Sequence, residues 1–333
     1  KSFLFLNLLS GFFAAAISFF AIRLRFNSFL SFISILPLIF YFFSPLRFSH
    51  FHPFYVDPPV ILFFSVSLFF LIKEKYFFAF LALLICTLFR EPSIYFALSL
   101  VITLFFKREI SSKNLLIYLL LIVVFSLFLS LFVHEQCNGS QIRTFFVFLY
   151  KSFSSFYGVI KIIAAILMTI GPFVIIKNSF IFKEKDSIFF VSLVWFILAL
   201  LMAIFGGGDT TRVFYSAYPL YVLTLLSLIV NELKIKILVA AFLGLVSNSF
   251  LIRISEPEFY WPTGSDSSGF WTLFPDYSLS TATSIITFWL FFWLCFKIIN
   301  WNKLNISCIN LYMIVTEHKK TVFWFSLLSI YLF

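Results

Sequence analysis

The segment LLIYLLLIVVFSLFLSLFV, residues 115–133, runs without a single charged side chain. A hydrocarbon core takes about 20 apolar residues per helical crossing, and only a helix or a closed barrel satisfies its backbone there. Runs of this kind recur from one end of the chain to the other. With 62% hydrophobic and 11% charged residues and a mean hydropathy of +1.05, the composition lies outside the soluble globular range. A membrane β-barrel would instead show roughly 10-residue segments of alternating apolar and polar residues, and the runs here are continuous. The expected fold class is therefore all-α, a polytopic transmembrane helical bundle. Eleven spans are expected: 3–22, 29–44, 58–72, 76–89, 93–106, 115–133, 158–176, 188–205, 213–230, 235–252 and 281–299. The 54 phenylalanines accompany abundant leucine and serine, as a T-rich coding sequence would produce, and do not mark an aromatic site.

Basic residues set the sidedness. Every second connection holds Arg23 and Arg25; Lys73 and Lys75; Lys107, Arg108 and Lys113; Lys177, Lys183 and Lys185; Lys234 and Lys236; Lys297 and Lys303, a majority of the 24 lysines and arginines. The opposite connections hold chiefly Arg47, Arg90, Arg143, Lys151, Arg212 and Arg253. The positive-inside rule makes the first set cytoplasmic. The net charge of +10 thus reflects topology, and no nucleic-acid surface is expected. Residues 1–300 read as a transmembrane helical domain with outer-face loops, the longest being 253–280. Residues 301–333 read as a cytoplasmic tail with a short apolar segment. Lys1 stands where Met would open a chain and leads at once into an apolar run, so a preceding segment is expected.

The outer connections carry the polar motifs. FGGGDTTRVFYSAYPLY, residues 205–221, joins three glycines, Asp209 and Arg212 between two apolar runs. The glycines free the backbone for a sharp turn, and Asp209, Thr210 and Thr211 suit a helix cap. Arg212 would fall in the first turn, where the helix dipole favours negative charge. Its partner is then Asp209 or a bound phosphate, whose oxygens match the guanidinium fork; the plainer alternative is an arginine snorkelling at the interface. LFREPSIYF puts Arg90 and Glu91 in a very short connection, as a packed ion pair or a substrate contact. HFHPFYVDPP offers His50, His52 and Asp57. Two histidines with one carboxylate make a weak divalent-cation site, and Asp57 before two prolines reads first as a helix cap.

Loop 253–280 mixes Glu256, Glu258, Asp266 and Asp276 with Tyr260, Trp261, Trp271 and Tyr277, which suits either sugar binding or an aromatic belt. Of Cys86, Cys137, Cys295 and Cys308, only Cys137 falls outside, so no disulfide is expected. No Walker loop, Cys-x-x-Cys or Gly-x-Ser-x-Gly motif occurs.

Taken in order, YVDPP before a span, KEK at an inner turn, LFREPSIYF after the next span and GGGDTTRVFYSAYPLYVL before a later one resemble the GT-C type membrane glycosyltransferases. The resemblance covers roughly residues 1–300. It implies a GT-C-like bundle in a bacterial cytoplasmic membrane, taking a sugar from a polyprenyl-phosphate donor. The acceptor would be a hydroxyl of a glycan, lipid or protein on the outer face, periplasmic or lumenal. A carboxylate would act as general base, and an arginine or a divalent cation would stabilise the leaving phosphate. Carried over by position, Arg212 meets the lipid phosphate, Arg90, Glu91 and Asp209 shape the cavity, and Asp57 is the nearest matching carboxylate. One departure stands out. The family's usual catalytic carboxylate lies in the first large outer loop, whereas Asp57 is the first carboxylate here, so that loop is expected upstream of Lys1. The competing expectations are a transporter or flippase for a lipid-linked or anionic solute, and a non-catalytic membrane assembly subunit.

Overall fold

A computed structural model describes residues 2–40, 57–133, 150, 156–176, 186–205, 214–255, 279–299 and 301. Among them are eleven helices and no strands: α1 (Ser2–Arg23), α2 (Ser28–Phe40), α3 (Asp57–Ile72), α4 (Tyr76–Cys86), α5 (Ser93–Phe106), α6 (Ser112–Val133), α7 (Phe156–Ile176), α8 (Ser187–Phe205), α9 (Tyr218–Ile229), α10 (Lys234–Ser255) and α11 (Leu279–Ile298). Each falls on one of the apolar runs.

Length separates them. Phe5–Arg23, Ser112–Leu129 and Ser187–Ile204 are long and apolar enough to cross a membrane, and Gly158–Ala164 with Ile166–Ile176, bent by 57°, would make a fourth crossing. Six other apolar helices are shorter, because turns and polar residues interrupt their runs after 11 to 17 positions.

The helices form two groups. In the first, α1 packs on α2 and α3, α3 on α4, α4 on α5, and α5 on α6. In the second, α7 packs on α9, α10 and α11, α8 on α9, and α10 on α11. The groups meet where α8 lies on α5, α9 on α2 and α3, and α10 on α2. Small residues allow the closest approach. Ser10, Ala14, Ser18 and Ala21 are buried along one stripe of α1, and Ser18 Oγ donates to Ser65 Oγ of α3 at 2.8 Å. Such stripes replace the hydrophobic drive that is missing between helices in lipid. α6, by contrast, leaves Leu116, Leu120, Val124 and Leu127 exposed, a surface suited to lipid.

Backbone groups freed by proline are taken up by side chains. Pro172 inside α7 has no N–H for the Met168 carbonyl four residues earlier. Tyr215 Oη donates to that carbonyl instead, at 3.1 Å. Between α8 and α5, the buried Trp195 Nε1 donates to the Phe96 carbonyl at 3.1 Å.

At one end of the bundle, Arg25 pairs with Asp186, Ser187 Oγ donates to Glu109, and Lys107 Nζ lies 4.2 Å from the centre of the Phe190 ring. These residues belong to connections grouped above by their basic residues, and they join α1, α5 and α8 at a common level. Two turns at this end share one geometry. Lys75 N donates to Phe70 O and Glu74 N to Leu71 O, while Glu109 N donates to Leu104 O and Arg108 N to Phe105 O. This is the Schellman arrangement, whose penultimate residue is left-handed, and Glu74 and Arg108 sit at φ 58° and 62°. A side chain in that region is strained and glycine is not. Glu74→Gly and Arg108→Gly should therefore each stabilise the fold by about 0.5–1 kcal/mol, read as a rise in the unfolding midpoint in detergent.

Candidate functional site

The opposite end holds a polar cluster assembled from three distant stretches. Asp57 opens α3, Arg90 lies in the turn between α4 and α5, and Ser216 stands two residues before α9. Arg90 Nη1 donates to Asp57 Oδ1 at 3.0 Å and to Ser216 Oγ at 3.1 Å. Ser216 Oγ in turn donates to Asp57 Oδ1 at 3.2 Å. The triangle closes chemically: the hydroxyl accepts from the guanidinium and donates its own O–H to the carboxylate. Asp57 is 2% exposed and Arg90 19%.

The local sequence explains each placement. Pro58 and Pro59 follow Asp57 and supply no N–H, so the first turn of α3 offers the carboxylate few capping donors. It reaches across to Arg90 instead. Arg90 is fixed by a chain of turns, with its N–H donating to the Cys86 carbonyl and its own carbonyl accepting from Ser93 N. Ser93 Oγ meets Cys86 Sγ at 3.3 Å, and the Cys86 thiol approaches the Val60 carbonyl at 3.7 Å, which ties this turn to α3. Ser216 is held by its aromatic neighbours. Phe214 stacks on Tyr221 with centroids 5.0 Å apart, and Tyr221 Oη donates to the Phe214 carbonyl at 2.9 Å.

Depth follows from helix length. The network of Arg25, Glu109, Asp186 and Ser187 places the ends of α1, α5 and α8 at one level. From there α3, with 16 residues, rises ~24 Å, and α5, with 14, rises ~21 Å. α1 and α6, with 22 residues each, rise ~33 Å. By that difference in rise, the cluster lies ~10 Å short of the far ends of the long helices. In a hydrocarbon layer about 30 Å thick it would lie within the membrane's depth, where a charge endures only if paired or wetted.

Asp57 and Arg90 are thus brought together, and Glu91, next in the chain, is exposed beside them. Asp209, Arg212, His50 and His52 lie outside the described residues, as does loop 256–278. Among the described residues, no three His, Cys, Asp or Glu side chains gather to hold a metal ion. Ser216 was not singled out from the sequence. Its one signal is a hydroxyl within SAYP, just ahead of a helix-opening proline. Comparison with protein-family models, with curated proteins and with solved structures finds no match.

Proposed function

We propose that the chain is a multi-pass membrane glycosyltransferase of GT-C-like architecture in a bacterial cytoplasmic membrane. In this reading all eleven helices belong to the membrane domain, and the cluster faces the outer side. A polyprenyl-phosphate sugar donor enters from the lipid. Its phosphate is met by Arg212 with Asp209 beside it, Arg90 and Glu91 shape the cavity, and an acceptor hydroxyl of a glycan, lipid or protein attacks the sugar. A carboxylate takes the acceptor's proton; Asp57 is the one at the cluster, and loop 253–280 carries four more. Guanidinium groups stabilise the charge that builds on the departing phosphate. A divalent cation could supplement them.

The observation that carries the reading is the sunken Asp57–Arg90–Ser216 cluster, a charged constellation drawn from distant chain segments to one end of an apolar bundle. Intramembrane charges of this kind mark functional sites. The test uses the chain in lipid vesicles with radiolabelled polyprenyl-phosphate sugars. Sugar transfer with release of polyprenyl phosphate is expected, and Arg212→Ala should reduce it at least a hundredfold, the scale of losing one donor to a transition-state oxyanion, with insertion unchanged. Transfer at the normal rate by that variant would remove Arg212 from the mechanism. Movement of intact donor across the bilayer without release would assign the chain to transport.

A further inference from the structure

We infer that Asp57 and Ser216 are positioning residues that fix the plane of the Arg90 guanidinium through one nitrogen, making Arg90 a seat for a phosphate group. The inference rests on the proposed function for the identity of the ligand, and on geometry alone for the seat.

A guanidinium has five N–H donors in a planar fork. Arg90 spends a single nitrogen, Nη1, on both Asp57 and Ser216. Among the described residues no acceptor meets Nε or Nη2. The Arg90 side chain is 19% exposed and that of Asp57 2%, so the pair is largely buried yet the guanidinium side keeps some access. Nε and Nη2 carry three N–H groups on one plane, and two of them, one on each nitrogen, are what a phosphate takes in a bidentate contact.

Asp57 orients the guanidinium through Oδ1, in addition to the proton transfer proposed for its carboxylate. Its Oδ1 already accepts two hydrogen bonds, which fill both lone pairs of that oxygen. Ser216 is the hinge between the two: without its hydroxyl, Arg90 Nη1 keeps one partner and the plane of the fork is free to rotate.

The two roles differ in the sign of one effect. Asp57 carries a negative charge close to the seat, so it weakens anion binding electrostatically while holding the cation in place. Asp57→Asn keeps an oxygen acceptor and removes the charge. Binding of geranyl phosphate and of inorganic phosphate to the chain in nanodiscs is the measurement, with thermal unfolding recorded for every variant. Arg90→Gln should abolish binding of both probes. Ser216→Ala should weaken it about fivefold, the worth of one hydrogen bond, and Ser216→Thr should restore it. Asp57→Asn should tighten it about threefold to tenfold at low salt. In the transfer assay the same variant should lower KM and kcat together, since the anion is held more tightly but in a looser orientation.

Unchanged or weaker binding by a folded Asp57→Asn, or unchanged binding by Arg90→Gln, would overturn the inference. Should Asp57→Asn fail to fold, the Ser216 pair decides: equal affinity for the Ala and Thr variants overturns it. Tighter wild-type binding of geranyl phosphate than of inorganic phosphate identifies a lipid-borne ligand, and equal affinities identify a free phosphate; either supports the seat. The predicted binding pattern without sugar transfer keeps the seat and removes the transferase. Transfer that survives Arg90→Gln does the reverse.

Discussion

Arg90→Met is expected to destabilise the protein by about 3–5 kcal/mol, the usual consequence of stranding one member of a buried ion pair. The cause is Asp57, which the substitution leaves 2% exposed with Ser216 as its remaining partner in the triangle. The asymmetry of buried pairs supplies a sharper check. Asp57→Asn combined with Arg90→Met removes both charges and keeps an acceptor for Ser216, so the double variant should be more stable than Arg90→Met alone. Unfolding midpoints of the two variants in detergent decide it, and equal midpoints would show that the ion pair does not hold this end of the bundle together. The double variant should recover the fold without recovering phosphate binding, which separates the pair's structural contribution from its chemistry.

The second large effect is expected at Gly171. A Cβ there would lie 2.4 Å from Cε2 of Trp289, with two further ring atoms at 2.6 and 2.7 Å. Trp289 is buried and packs edge-on against Phe288, with centroids 5.4 Å apart, so the indole has little room to withdraw. Gly171→Ala must push α7 and α11 apart, which should cost about 1–3 kcal/mol as overpacking does. Trp289→Leu in the same chain should return most of that loss by vacating the space. A lowered unfolding midpoint for Gly171→Ala, recovered in the double variant, is the expected result; no change in the single variant would mean that the two helices do not touch there.

The helices were legible in the sequence because their signals are local. The expected 93–106 and the observed Ser93–Phe106 coincide, bounded by Pro92 before and by charged residues after. The expected 188–205 and the observed Ser187–Phe205 differ by one residue, with Asp186 Oδ1 accepting from Phe189 N at the start. The ends near the polar cluster were harder. Span 76–89 stops at Cys86, where the chain enters the turns that place Arg90. Span 213–230 is interrupted at Ala217, with Pro219 opening α9 in a first turn where its missing N–H costs nothing. Both interruptions fall at turns that carry residues of the polar cluster, which hydropathy does not register. Among the site residues, Asp57 and Arg90 were visible as charges stranded in apolar surroundings, but not as a pair: adjacency offered Glu91 to the arginine and a helix cap to the carboxylate, and the fold joins the two instead. Ser216 was not visible. A serine is unremarkable in composition, and its partners lie 126 and 159 residues away in the chain, a relation that one sequence read along its length does not reveal.

Tyr215 and Ser216 are neighbours with opposite commitments. The phenol fills the carbonyl that Pro172 leaves open in the second helix group, and the hydroxyl joins Asp57 and Arg90 of the first. This dipeptide is therefore a rivet through both halves of the molecule, and residues 206–213, with Arg212, lead straight into it. A displacement of either residue is felt by both halves through a single peptide bond.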